Sequence, residues 1–161
     1  MKKVYIVVTI ILIIVVIIVL SLQKAKHNNK NSNISSIENL RFSYTSGYIA
    51  NSDTSYEIDC KDGCALIYKA HGVPSEEAKK YKIDTDIVME IEDLLNKYNV
   101  SNWNGFHGNN KDVLDGDSFG FYVIMKNGDK IDSSGYMSWP KNYGEVKTGL
   151  ESIFKKVIDK Y

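Results

Sequence analysis

Net charge is what this sequence lacks. Lys and Arg number 20 and Asp and Glu number 20 in 161 residues, so the formal charge is zero. That excludes a strongly basic nucleic-acid binder and an acidic tail protein. Arginine is nearly absent, with Arg41 alone against nineteen lysines. Cysteine is scarce too. Cys60 and Cys64 are the two, and zinc would need two further ligands and a different spacing. The spacing also fails the Cys-x-x-Cys pattern of a thioredoxin-like centre. No cysteine comes just after the first apolar run, the first being Cys60, which argues against a bacterial lipoprotein. The chain has no internal repeat and no strong catalytic motif.

What is there is unevenly distributed. Residues 1–30 carry five lysines and no acid, whereas residues 31–161 carry 15 basic and 20 acidic side chains, giving +5 and −5. Residues 4–22, VYIVVTIILIIVVIIVLSL, hold no charge. As a helix they span roughly 28 Å, close to a bilayer's hydrocarbon core. The run is longer than the apolar core of a cleaved signal peptide, and Ser21–Ala25 offers no small-x-small cleavage site. An uncleaved transmembrane anchor is therefore expected over 4–22, after a short cytoplasmic start at 1–3. Lys2 and Lys3 precede the span and Lys24, Lys26 and Lys30 follow it, so the positive-inside rule nearly ties. A Lys-Lys start before a long apolar run favours export of the C-terminal part. Residues 23–36, QKAKHNNKNSNISS, read as a flexible polar linker.

Residues 37–161 read as one extracytoplasmic α+β domain. Arg41–Asn51, Ser55–Asp59, Ala65–Ala70 and Lys79–Ile83 have strand character. Asp84 or Thr85 suits an N-cap, and Ile87, Ile91, Leu94, Leu95 and Tyr98 follow at helical spacing. A loop spans Val100–Ser118. Phe119–Met125 and Asp129–Gly135 form a hairpin about Asn127-Gly128, where a two-residue type I′ turn is expected. That register sets Ile124 opposite Ile131 and Tyr122 opposite Ser133. Strand 119–125 is then apolar on both faces while its partner is not, which calls for a covering element or an apolar groove. Asn142 and Glu145 resemble a capping box before Val146, Leu150, Ile153, Phe154 and Val157. Strands around two helices give an antiparallel sheet with two main helices, preceded by the transmembrane helix.

Several residue groups are candidates for chemistry. Cys60 and Cys64 flank Lys61-Asp62-Gly63. A three-residue hairpin loop lets them face each other for a disulfide, and a two-residue loop points them to opposite faces. Asp112, Asp115 and Asp117 crowd a Gly/Asn-rich loop, a composition that Ca²⁺ accepts, although the EF-hand spacing is absent. The bland alternative is turn residues that bond their own backbone. His27, His71 and His107 read as surface histidines, and Glu76-Glu77 and Glu92-Asp93 as solvated helix faces. Trp103, Phe106, Tyr136, Trp139 and Tyr143 collect near loops, where aromatics beside polar groups stack on a sugar ring, anchor a protein partner or seal a small core.

A resemblance rests on Trp103-Asn104-Gly105-Phe106, Leu114-Asp115-Gly116, Ser118-Phe119, Asn127-Gly128, Gly135 and Pro140-Lys141-Asn142-Tyr143. Residues 80–158 resemble domains of uncharacterised membrane-anchored or lipid-anchored proteins of Gram-positive bacteria. The Lys-, Ile- and Asn-rich composition suits an AT-rich genome. The resemblance implies no activity and carries over no catalytic residue. Where some relatives have a lipid-modified cysteine, this chain has its uncut span.

Together these readings make the chain a single-pass cell-membrane protein whose outer domain binds a ligand, partnering an envelope polymer or another membrane protein and no nucleic acid. An envelope-acting enzyme using Asp115, Asp117 or His107 as general acid or base is the first alternative. A membrane-anchored immunity or regulatory subunit is the second.

Overall fold

The structure is a computed structural model. It describes residues 33–47, 53–70 and 77–161, together with Ile14, Gly72 and Pro74. The span expected at 4–22 (Ile14 apart), most of the linker, His27 and His71 lie outside the described residues. Among the described residues no helix is long and apolar enough to cross a membrane.

Seven strands form one sheet: β1 (Ile37–Thr45), β2 (Thr54–Asp59), β3 (Ala65–Lys69), β4 (Lys79–Lys82), β5 (His107–Asn109), β6 (Ser118–Met125) and β7 (Lys130–Tyr136). Their order is β4-β3-β2-β1-β6-β7-β5. Every pairing is antiparallel except that of β5 with β7. Two helices complete the domain, α1 (Thr85–Lys97) and α2 (Tyr143–Ile158), with a 3₁₀ turn at Val100–Trp103. The fold is α+β with a mostly antiparallel sheet and two helices.

Period-two alternation explains the sheet. Leu40 and Phe42 in β1, Tyr56 and Ile58 in β2, and Phe119, Phe121, Val123 and Met125 in β6 are buried, while their neighbours along each strand are not. The helices contribute Val88, Ile91 and Leu95, then Val146, Leu150, Ile153, Phe154 and Val157, to the same core. Each large side chain so buried stabilises the fold by about 1.5–3 kcal/mol relative to exposure. Gly149 lets the helices meet closely, because a methyl group there would overlap the Leu94 side chain. That contact explains a helix-weakening residue inside α2.

Four expectations are corrected. The Asn127-Gly128 hairpin does not use a two-residue turn. Ile124 pairs with Lys130, Val123 with Ile131 and Phe121 with Ser133, so the loop is Lys126-Asn127-Gly128, with Gly128 alone at φ +86°. A turn followed by a left-handed glycine is the other common hairpin solution. The one-residue shift puts Ile131 on the core face beside Val123, and the expected mismatch between β6 and its partner disappears. The capping box is not formed. Asn142 sits at φ +64° with no side-chain cap, and its amide donates instead to the Tyr98 carbonyl at 3.3 Å. Glu92 is not simply solvated, since it accepts from the Ile37 amide at 2.8 Å. Finally, the folded unit reaches back into the expected linker. Ile34 is 1% exposed, its amide donates to the Asn96 side chain, and its carbonyl accepts from it, both at 2.8 Å.

Candidate functional site

The strand registers define two ends of the sheet. At one end lie the β2–β3 and β6–β7 turns and the start of β1. At the other lie the end of β1, the starts of β2 and β6 and the end of β7. The aromatic candidates collect at the second end.

Phe119 is the centre of that collection. Phe106 stacks at 6.4 Å from it, Trp139 and Tyr143 lie tilted to it at 5.5 Å and 4.6 Å, and Trp103 meets it edge-on at 6.4 Å. The residues differ in exposure. Trp103 is 2% exposed and donates its indole N–H to the Lys141 carbonyl at 3.0 Å, so it is a core residue that fixes the 137–142 segment. Trp139 is 39% exposed and stacks on Tyr143 at 4.7 Å with a 20° interplanar angle. Tyr136 stands apart from the cluster, and its hydroxyl donates to the Leu114 carbonyl at 2.7 Å.

Trp139 forms a ridge between two clefts. The first has a volume of about 290 Å³ and is lined by Tyr98, Asn99, Asn102, Trp103, Phe106, Pro140, Lys141 and Asn142 besides Trp139. The second, about 260 Å³, is lined by Tyr44, Thr45, Ser46, Asp117, Ser118, Tyr143 and Lys147 on the other side of Trp139. In the second cleft Lys147 lies 4.3 Å above the Tyr44 ring and 3.1 Å from the Glu151 carboxylate. Burial, then the nearby Glu151, raises the Tyr44 phenol above its ordinary value. Burial raises Tyr143 as well, with smaller contributions from Glu151, Tyr44 and Asp117. Both phenols therefore stay protonated as hydrogen-bond donors at neutral pH.

The three loop aspartates do different work. Asp117 accepts from the Gly47 amide at 3.2 Å and faces the second cleft. The Asp112 backbone amide donates to the Asn110 side-chain oxygen at 3.1 Å, a local turn bond. Asp115 packs by its backbone against Gly47, where any side chain would collide with it and with Gly116. Among the described residues no group of three or more His, Cys, Asp or Glu side chains is placed to hold a metal ion. His107 shares a 2.9 Å hydrogen bond with the Ser134 hydroxyl.

Cys60 and Cys64 lie at the opposite end. The β2–β3 register pairs Asp59 with Ala65, leaving the three-residue loop with Gly63 at φ +97°. The sulfurs are joined, with Cα atoms 4.0 Å apart.

Several lining residues escaped the sequence reading. Tyr44 falls within an expected strand and Asn102 within the expected Val100–Ser118 loop, while Asn99 and Lys147 are singled out by nothing in the pattern. The available signal was modest: Asn99 follows the helix's C-cap Tyr98, a position where Asn takes the left-handed conformation it shows here (φ +54°).

No protein-family model matches this sequence, and no curated protein matches it.

Proposed function

We propose that the described domain is a binding module, carried on a membrane anchor at residues 4–22 and displayed outside the cell, whose ligand surface is the Trp139 ridge. The observation that supports this reading is the exposed indole itself. Trp139 is held flat against Tyr143 and 5.5 Å from Phe119, with a cleft on each side. A large aromatic left in water yet held from behind loses little conformational freedom when a ligand covers it. The disulfide at the far end of the sheet is consistent with an oxidising compartment.

The ligand, on this reading, is an envelope polymer. The test is co-sedimentation of the full chain, in nanodiscs, with insoluble envelope polymer, comparing wild type with Trp139→Ala. Removing a central aromatic anchor typically costs 2 kcal/mol or more, about thirtyfold in affinity. Equal binding by the two proteins sinks the proposal. Display is tested separately by adding a protease to intact cells. Release of the domain supports it, and protection until lysis overturns it.

A further inference from the structure

The two clefts beside Trp139 are lined by different chemistry. The second holds an acid, Asp117, and a base, Lys147. The first holds no carboxylate, and Lys141 is its single charged residue. Asparagines are most of its polar lining residues, Asn99, Asn102 and Asn142, and Tyr98, Trp103, Phe106, Trp139 and Pro140 are its apolar ones.

The amides differ in what they already do. Asn142 gives one N–H of its amide to the Tyr98 carbonyl, leaving the second N–H and the amide oxygen. The side chains of Asn99 and Asn102 make no hydrogen bond to the described residues. Asn99 and Asn142 both hold left-handed backbone, at φ +54° and +64°. Non-glycine residues in that region cost free energy and persist where surrounding structure imposes them. Here the imposing contacts are visible: Asn142 bridges to Tyr98, and Trp103 grips Lys141. The part of the cleft wall at Lys141 and Asn142 is thus fixed before any ligand arrives, which reduces the ordering cost of binding.

We propose that this cleft binds a sugar ring carrying an acetamido group. This rests on the reading of Trp139 as a ligand surface and names the ligand's chemistry. A pyranose has an apolar C–H face, which suits the exposed indole. An acetamido substituent has one N–H and one carbonyl, matched by asparagine's own acceptor and donors. Its methyl group suits the Phe106 side of the cleft. A volume of about 290 Å³ equals roughly ten waters at about 30 Å³ each, room for one substituted ring. A ligand cation would meet no carboxylate in this cleft, and a purely apolar chain would strip water from three amides without replacing their hydrogen bonds.

The test titrates the full chain, in nanodiscs, with triacetylchitotriose and with cellotriose, following tryptophan fluorescence. Trp103 and Trp139 are the two tryptophans of the chain and both line this cleft, so a sugar seated in it changes their emission. The acetylated trimer should bind about tenfold more tightly, the worth of one or two net hydrogen bonds. The double variant Asn99→Ala/Asn102→Ala, at two exposed positions, should bring the two sugars to equal affinity. Equal affinity for both sugars in the wild type overturns the acetamido assignment and leaves the ridge reading standing. A preference that survives the double variant overturns the placement in this cleft. No binding of either sugar, with envelope polymer still retained through Trp139, overturns the sugar and again spares the ridge. Loss of the Trp139 effect in the co-sedimentation experiment removes both.

Discussion

The two ends of the sheet are built by different means. At the β2–β3 and β6–β7 tips the chain reverses in three residues, each time with a glycine at positive φ, Gly63 and Gly128, and one tip is closed by the Cys60–Cys64 bond. At the other end the connections are long. There Met137 and Asn142 are non-glycine residues at positive φ held by distant parts of the chain, Met137 through Asp117 and Asn142 through Tyr98, and a cluster of aromatic rings fills the space between. Local turn chemistry makes an end closed by a disulfide, with a cleft of about 340 Å³ beside it, and tertiary packing makes an end left open around its rings. Only the second has clefts beside an exposed tryptophan.

The sharpest way to break the contrast lies within the aromatic end. Trp103→Ala should destabilise the domain by about 3–5 kcal/mol, because it empties a core position and frees the Lys141 carbonyl. Trp139→Ala should cost far less stability. Denaturant midpoints for the two variants check this, and similar losses would mean that Trp139 is a structural plug. At the closed end, Cys60→Ser/Cys64→Ser should cost about 2 kcal/mol, the chain-entropy value for so short a loop, and should leave the clefts unchanged. A loss of Trp139-dependent binding in that variant would show that the two ends are coupled.

Alkali distinguishes the ends by another route. Burial raises the phenols of Tyr44, Tyr56 and Tyr143 above their ordinary value, and all three lie on the core side toward the open end. A pKa higher in the folded state means that the folded protein holds those protons when the unfolded chain has begun to lose them. Their contribution is complete below about pH 10, the unfolded value, and is lost as pH rises through the folded values. Thermal melts should therefore hold steady toward pH 9 and fall above about pH 10. A melting temperature that does not drop there contradicts the burial of these phenols. The smallest effect belongs to Ser133. Its hydroxyl is buried with no partner among the described residues, so Ser133→Ala should be neutral or stabilise by up to about 1 kcal/mol. A clear loss of stability would reveal a hydrogen bond not seen here.

The sequence shows these two ends unequally. Period-two patterning located six of the seven strands, and helical spacing located α1 and α2, because both follow from which side chains face a core. The Asn127-Gly128 turn was visible but its register was not, since the same dipeptide serves two loop lengths and packing of Ile131 decides between them. β5 escaped, as three residues of His-Gly-Asn have no strand propensity and pair with β7 through its free edge alone. The aromatic candidates were legible as residues in loops, and four of the five do meet around Phe119. What could not be read was their division of labour. Trp103 and Trp139 look alike in sequence, and only the fold buries one and exposes the other. The lining asparagines were hidden for the same reason, because polar loop residues are common and their convergence is a property of the fold.

The place where the chain enters the folded unit has a mechanical consequence. Ile34 is locked to Asn96, and the chain then passes directly into β1, which has β2 on one side and β6 on the other. A pull applied at residue 33 along β1 meets both ladders side-on, so many backbone hydrogen bonds must yield together rather than one after another. The edge strands β4 and β5, each with a single neighbour, would peel sequentially under the same load. Resistance to such a pull is set by the unfolding rate and not by equilibrium stability. A domain pulled through its central strand can stay folded under a brief load even when its overall stability is ordinary.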